Sequence, residues 1–281
     1  MKLHFLSENK VSKPECLAEH GLSIYIETQE MNILFDTGAS DLFLKNAERM
    51  NIDPVRADAV VISHGHYDHT GGVPFFCEAN ERAKIMIHKD AFESTYGIEN
   101  GKLDEEPCGI RWTKIQYDDI RERLVLTDGV KKLTENILIS GTLPVIAGVH
   151  PTENFYIKGE NSSLIVDPMN HEQFLAIRDI GEDGKSKGIV VFSGCSHRGI
   201  EPCLNYAKEL FPGERIRGLI AGLHLYHSGK DAKSRVYRQI AEEDMDVVIP
   251  VHCTGIHAIC DLRNMLGEKC IPAGAGDTII L

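Results

Sequence analysis

Six consecutive residues, His64-Gly65-His66-Tyr67-Asp68-His69, follow the apolar run Ala59-Val60-Val61-Ile62 with only Ser63 between. They put three imidazoles and a carboxylate into one short turn at the end of a predicted strand. An extended segment sends residues i and i+2 to the same face, so His64 and His66 can converge on one point. If the chain then turns into the next element, Asp68 and His69 can face a second point nearby. Imidazole with one hard carboxylate suits zinc and tolerates iron, manganese or cobalt. An exposed polar loop has no reason to space four donors in this way. The motif predicts a metal site, and with it a rigid strand that presents the site.

Three further strand ends repeat the pattern. Ile189-Val190-Val191-Phe192 runs into Ser193-Gly194-Cys195-Ser196-His197, Leu219-Ile220-Ala221 into Gly222-Leu223-His224, and Val247-Val248-Ile249-Pro250-Val251 into His252-Cys253-Thr254-Gly255. Each is a short β-rich apolar run that meets a histidine at once, often beside glycine. Glycine there permits a tight turn and close backbone approach. A single strand-end histidine is commonly structural. Four such ends predict that several strands deliver ligands to one rim of a sheet, where loops on a rigid scaffold carry chemistry.

His-x-His-x-Asp-His followed by Thr70-Gly71-Gly72, with Leu34-Phe35-Asp36-Thr37-Gly38 upstream, resembles the metallo-β-lactamase superfamily of metal-dependent hydrolases. Glu19-His20-Gly21-Leu22-Ser23, Gly194-Cys195-Ser196-His197, Gly222-Leu223-His224-Leu225 and His252-Cys253-Thr254-Gly255 are similar to one subgroup of it. Some members of that subgroup are 7,8-dihydropterin-6-methyl-4-(β-D-ribofuranosyl)aminobenzene-5'-phosphate synthases. The resemblance runs over nearly the whole chain. It implies a four-layer αββα sandwich with the metal site at the rim of the two sheets; spacing alone supports only a mixed α/β protein. It also implies one or two divalent metal ions, most simply zinc, with iron or manganese as alternatives. His64 and His66 match the ligands of the first metal, Asp68 and His69 those of the second, and His252 the late histidine that completes the second site. The pattern departs in the middle, where Cys195 stands at the place that resembles the bridging aspartate. His197, two residues on, could supply the third imidazole of the first site. A Cys195 thiolate could act as a soft ligand, or the side chain could merely pack; both readings stay open. Asp36 matches an aspartate that supports a metal histidine.

A bound divalent ion lowers the pKa of water to roughly 7 and polarises a carbonyl or phosphoryl oxygen. With one metal, Asp68 would be free to act as general base; with two it would be a ligand. His224, at its own strand end, is the candidate for contacting substrate or transferring a proton, against a structural role as a strand cap. His88 follows Lys84-Ile85-Met86-Ile87 and reads as a strand-end residue with some access to the rim. His20 approaches the site at most as a minor ligand. His4, His150, His171, His227 and His257 have no ligand partner at useful spacing and read as surface or structural.

Thirty basic against forty-two acidic residues give a net charge of −12. That disfavours nucleic acid or an anionic membrane as partner, while a metal can create a local positive field for a small anionic substrate. No apolar stretch approaches the roughly 20 residues that span a bilayer, and Met1–Lys10 carries no apolar signal core. Eight cysteines without a Cys-x-x-Cys pair read as reduced thiols, which points to the cytoplasm.

Residues 1–281 read as a single domain. Leu22–Glu27 and Met31–Phe35 predict a hairpin, Leu42–Met50 a helix capped by Asp41, and Val73–Glu81 another helix. The stretch from about 91 to 151 is less regular, with β-like runs at Arg123–Leu126 and Ile137–Ile139, and reads as a lid or an oligomer contact; a homo-oligomer is left open. Trp112, with Tyr96 and Tyr117 near it in sequence, could stack on a planar ring such as a pterin or belong to local core. Strand and helix resume with Ser163–Val166, Glu172–Ile177, Pro202–Leu210 and Asp231–Glu242. The leading functional expectation is a metal-dependent hydrolase of an ester, phosphoester or similar anionic small molecule. A transferase joining a pterin diphosphate to a ribofuranosylaminobenzene 5'-phosphate, and a non-catalytic metal-binding protein, are the alternatives. A di-iron oxygen or nitric oxide reductase is excluded: His66 stands where that branch carries glutamate, and no flavin domain follows.

Overall fold

The predicted hairpin forms: Ser23–Glu27 pairs antiparallel with Asn32–Phe35, with Ile24 opposite Phe35 and Tyr25 opposite Leu34. The computed structural model describes residues 1–99, 102–146, 153–160 and 163–281. Its contacts define two compact units. One comprises Met1–Asp128, Asn154–Glu172 and Ala275–Leu281; the other comprises Gly129–Glu153 and Gln173–Gly274.

The first unit is built on a seven-stranded sheet in the order Thr278–Ile280, Lys2–Ser7, Ser23–Glu27, Asn32–Phe35, Ala59–Val61, Lys84–His88, Leu124–Thr127. The first four are antiparallel neighbours and the last four run parallel. Parallel strands end at the same edge, and the ladder continues past them: Asp36 N donates to Val61 O and Ile62 N to Met86 O, each at 2.9 Å. The turns that follow Phe35 and Ile62 are therefore neighbours. Leu34, Val60, Ile62, Ile85 and Ile87 pack with Phe43 and Phe76 of the adjoining helices into a buried core. Unbroken apolar runs are what strands covered on both faces require.

The helix Leu42–Met50 has the predicted bounds, with Phe43, Asn46 and Ala47 on its buried face. Its cap differs from the expectation. Asp41 occupies the N-cap position but makes no capping hydrogen bond; its carboxylate pairs with Lys45 at 2.8 Å. Ser40 Oγ accepts from Leu42 N instead, at 3.1 Å. The following helix covers Val73–Ala79.

The second unit carries a six-stranded sheet in the order Lys131–Lys132, Ile137–Ile139, Leu175–Ile180, Ser186–Ser193, Ile216–Gly222, Val247–Val251. Again antiparallel pairs precede parallel ones, and the last three strands are parallel. Each of these three leads into a helix, Ile200–Leu210, Lys230–Glu242 or Ile256–Leu266. Val191, Leu219 and Val248 of the strands pack with Leu204, Ile240 and Leu262 of those helices. The element expected over Glu172–Ile177 is the strand Leu175–Ile180, which follows a turn closed by Glu172 N onto Met169 O.

The stretch from about 91 to 151 supplies an edge strand to one sheet and two strands to the other. Leu124–Thr127 pairs with Lys84–His88, and Ile137–Ile139 pairs with Leu175–Ile180. It also holds the helix Lys114–Ile120, whose Thr113 and Gln116 form a reciprocal capping box. His150 lies outside the described residues.

Candidate metal centre

In the first unit the motif forms the turn that follows the strand Ala59–Val61. His64 and Gly65 lie in a bend, His66 stands in extended conformation at the N-cap, and Tyr67–Thr70 forms one helical turn. Four residues cannot hold a helix alone, so neighbours pin it. Tyr67 N donates to Cys108 O at 2.9 Å, Leu22 N to Asp68 O at 3.1 Å, Thr37 N to His69 O at 2.9 Å and Trp112 Nε1 to Thr70 O at 2.8 Å. Gly65 has no room for a side chain, since a Cβ there would lie 2.3 Å from Ala91 O.

His64 and His69 are fully buried, and His66 and Asp68 nearly so. The ring of His64 lies 4.6 Å from that of His66 and 4.2 Å from that of His69, centroid to centroid. Asp36 organises the cluster. One oxygen accepts from Ser63 N at 2.7 Å; the other meets Ser63 Oγ and His69 Nδ1, each at 2.7 Å. Ser63 Oγ also lies 2.9 Å from His64 Nδ1. With the Nδ1 atoms of His64 and His69 held in this way, a metal would be met through Nε2 of each ring. Protonated rings packed so closely would repel, whereas neutral imidazoles sharing a divalent ion attract it. The donor set fits such an ion. Asp68 Oδ2 pairs with His20 Nε2 at 3.1 Å. Glu19 fixes the same corner by accepting from Ala39 N at 3.1 Å and Ser40 Oγ at 2.6 Å.

The second unit gathers its candidates on three adjacent strand ends. Cys195, His197 and His252 are buried. Gly222 N donates to Gly194 O at 3.0 Å, and Leu223 N to Thr254 Oγ1 at 3.1 Å. His224 N donates to Cys253 Sγ at 3.3 Å, and Leu225 N to Cys253 O at 3.1 Å. These bonds lace the turns together so tightly that a Cβ on Gly222 would sit 2.2 Å from Gly194 O. Ser196, His224 and His252 all have positive φ, at 55°, 48° and 50°, a region that non-glycine residues rarely occupy and that clusters at functional sites. The ring of His224 lies 4.5 Å from that of His197, and its Nδ1 meets Glu153 Oε2 at 2.9 Å. The hydrogen bond from His224 lowers the Glu153 carboxyl, against the opposing effect of burial. Burial pushes the Cys253 thiol up, but its hydrogen bond with Cys195 and the nearby His224 and His252 outweigh this and hold it below the usual thiol range.

The candidate donors that could hold a metal are thus His20, His64, Asp68 and His69 in the first unit, and Cys195, His197 and His252 in the second. His66 takes its place by contact with His64 and with Phe155, 4.6 Å away. His88 is a buried strand end whose Nδ1 accepts from Asp90 N at 3.2 Å. His4 is structural, held between Glu27 and Thr278. Trp112 packs against the core of the first unit and beside Phe92. His171, read from spacing as a bystander, is buried against the motif, with its ring 6.3 Å from that of His64 and 6.0 Å from that of His66. Glu153 was also missed. No local signal marks either residue, since both reach their partners only through the fold.

The sequence profile of the metallo-β-lactamase superfamily matches residues 18–142. An uncharacterized protein of Methanocaldococcus jannaschii is 30% identical over 250 residues, spanning 88% of this chain and 89% of its own length. The chain belongs to the metallo-β-lactamase superfamily. The 7,8-dihydropterin-6-methyl-4-(beta-D-ribofuranosyl)-aminobenzene-5'-phosphate synthase of the same organism is 29% identical over 269 residues, covering 90% of this chain and 85% of that protein. Among solved structures, Tm1679, a metal-dependent hydrolase of the β-lactamase superfamily, superposes with a TM-score of 0.80 at 29% identity, covering 100% of this chain and 99% of its own. The mixed α/β architecture, with its two large sheets and their helices, is the metallo-β-lactamase fold. Among the described residues no helix is long and apolar enough to cross a membrane, and no disulfide joins any of the eight cysteines.

Proposed function

We propose that this superfamily member is a metal-dependent hydrolase of an ester, phosphoester or similar anionic small molecule. The observation that carries the reading is the buried cluster of His64, His66 and His69, with Asp36 fixing one of its rings. The proposed ligands are His64, His66, Asp68 and His69 of the first unit and His197 and His252 of the second, with Cys195 as a soft donor. Zinc suits this set best; iron and manganese are alternatives. Such an ion, when bound, supplies Lewis acidity toward a carbonyl or phosphoryl oxygen and lowers the pKa of water. Asp68, paired with His20, serves as general base if one ion is held and as a ligand if two are. His224, steadied by Glu153, contacts the substrate or moves a proton. The net charge of −12 argues against nucleic acid and anionic membranes as partners.

The synthase relative supports a second reading, a transferase that joins a pterin diphosphate to a ribofuranosylaminobenzene 5'-phosphate. Both readings use the same donors and differ in the acceptor, water or an arene. The test is product analysis of the metal-loaded protein with phosphomonoester, phosphodiester and carboxylic-ester substrates, and separately with the two transferase substrates. Hydrolysis that chelator abolishes is the expected result. A coupled product without hydrolysis would move the assignment to the transferase, and neither product from a metal-replete protein would leave a metal-binding protein.

A further inference from the structure

We propose that His171 is a positioning residue for the His64-Gly65-His66 turn, tying its central amide to a buried Asp167–Thr95 pair. The inference rests on the metal reading above and adds a residue to it. Gly65 N donates to His171 Nδ1 at 3.1 Å. An Nδ1 that accepts carries no proton, so the neutral ring is protonated on Nε2. That nitrogen faces Asp167 Oδ2 at 3.6 Å. The same Asp167 oxygen accepts from Thr95 Oγ1 at 3.0 Å, and the other oxygen from Met169 N at 2.7 Å. His171, Asp167 and Thr95 are all buried.

Each end of this chain of contacts is anchored. Thr95 sits opposite Ile157 in the small sheet formed by Thr95–Tyr96, Tyr156–Lys158 and Leu164–Val166. Met169 holds a φ of +52°, in the turn that leads to His171. A residue kept in that uncommon region needs surroundings that hold it there, and the Asp167 bond to its amide does so. On its other side the Gly65 turn presses on Ala91 O, where a Cβ would come within 2.3 Å. The His64–Gly65 amide is thus held by His171, while the Cα of Gly65 is seated against Ala91. Rotation of that one peptide would change the separation of the His64 and His66 rings, and the imidazole of His171 lies nearly parallel to that of His64, at 13°. A fixed peptide presets the ligand geometry before any ion arrives, which is how supporting hydrogen bonds raise metal affinity.

The substitutions separate the acceptor from the bulk. In His171→Asn the side-chain oxygen takes the place of Nδ1; in His171→Gln the polar group reaches only the Nε2 position; His171→Leu fills the space without an acceptor. Zinc affinity is read by chelator competition, and ligand geometry by the visible absorption bands of the cobalt-substituted protein. The expected result is about 10–100-fold weaker zinc binding and shifted cobalt bands for His171→Leu and His171→Gln, with His171→Asn close to the parent protein. Equal loss in all three would overturn the tie in favour of simple packing, and so would unchanged affinity in all three while His66→Ala loses its metal. If His66→Ala keeps its metal, the metal reading itself falls, and this inference with it. Should His171→Leu fail to fold, the Asn–Gln pair still reads the acceptor.

Discussion

The two units hold their histidines in different ways. In the first unit His64 and His69 are aimed by side chains: Ser63 and Asp36 bond their Nδ1 atoms, and the donors lie within six residues of one another. In the second unit the backbone does the aiming. His224 and His252 occupy positive-φ positions, and amides and a thiol lace their turns together. Side-chain support fails gradually, because a lost hydrogen bond leaves the chain path intact. Backbone support fails abruptly, because a displaced turn moves everything attached to it.

A pair of substitutions would break that contrast if it is wrong. Gly222→Ala forces a methyl against Gly194 O and Cys253 Sγ, and is expected to lower unfolding stability by about 3 kcal/mol or more. Asp36→Asn keeps the volume but turns an amide group toward Ser63 or His69. Its expected effect is about 10–100-fold weaker metal binding, with the smaller loss of stability. Urea midpoints of the metal-free proteins and zinc competition, measured on both, decide it; equal midpoints would erase the distinction.

A smaller effect lies at the far end of the first sheet. Burial lowers the His4 pKa from 6.5, partly offset by the hydrogen bond to Glu27. The unfolded chain therefore binds a proton there more readily than the folded one. Stability from this site is full above about pH 6.5 and is lost as pH falls toward the depressed folded value. His4→Gln should flatten the pH dependence of the urea midpoint in that window, and an unchanged slope would remove His4 as its source.

Much of this was readable from the chain. The hairpin, the Leu42–Met50 helix and the apolar runs leading into histidine turns follow from alternation, helical periodicity and glycine placement. The first motif was legible because its donors are adjacent in sequence. His171 was not, since its partner Gly65 is 106 residues away and only the fold joins them. The same holds for Glu153 beside His224. The cap of the Leu42–Met50 helix shows a subtler limit: Asp41 and Ser40 are both good caps by composition, and the pull of Lys45 on the carboxylate decides between them.

The proposed role of the strand-end histidines is to bind metal. Elemental analysis of protein purified without added metal, for the parent chain, His66→Ala and His252→Ala, tests it most directly. One to two divalent ions per chain are expected in the parent, with a marked loss in both variants. Parent protein that binds no zinc even when it is supplied, or variants that keep the full metal content, would contradict it.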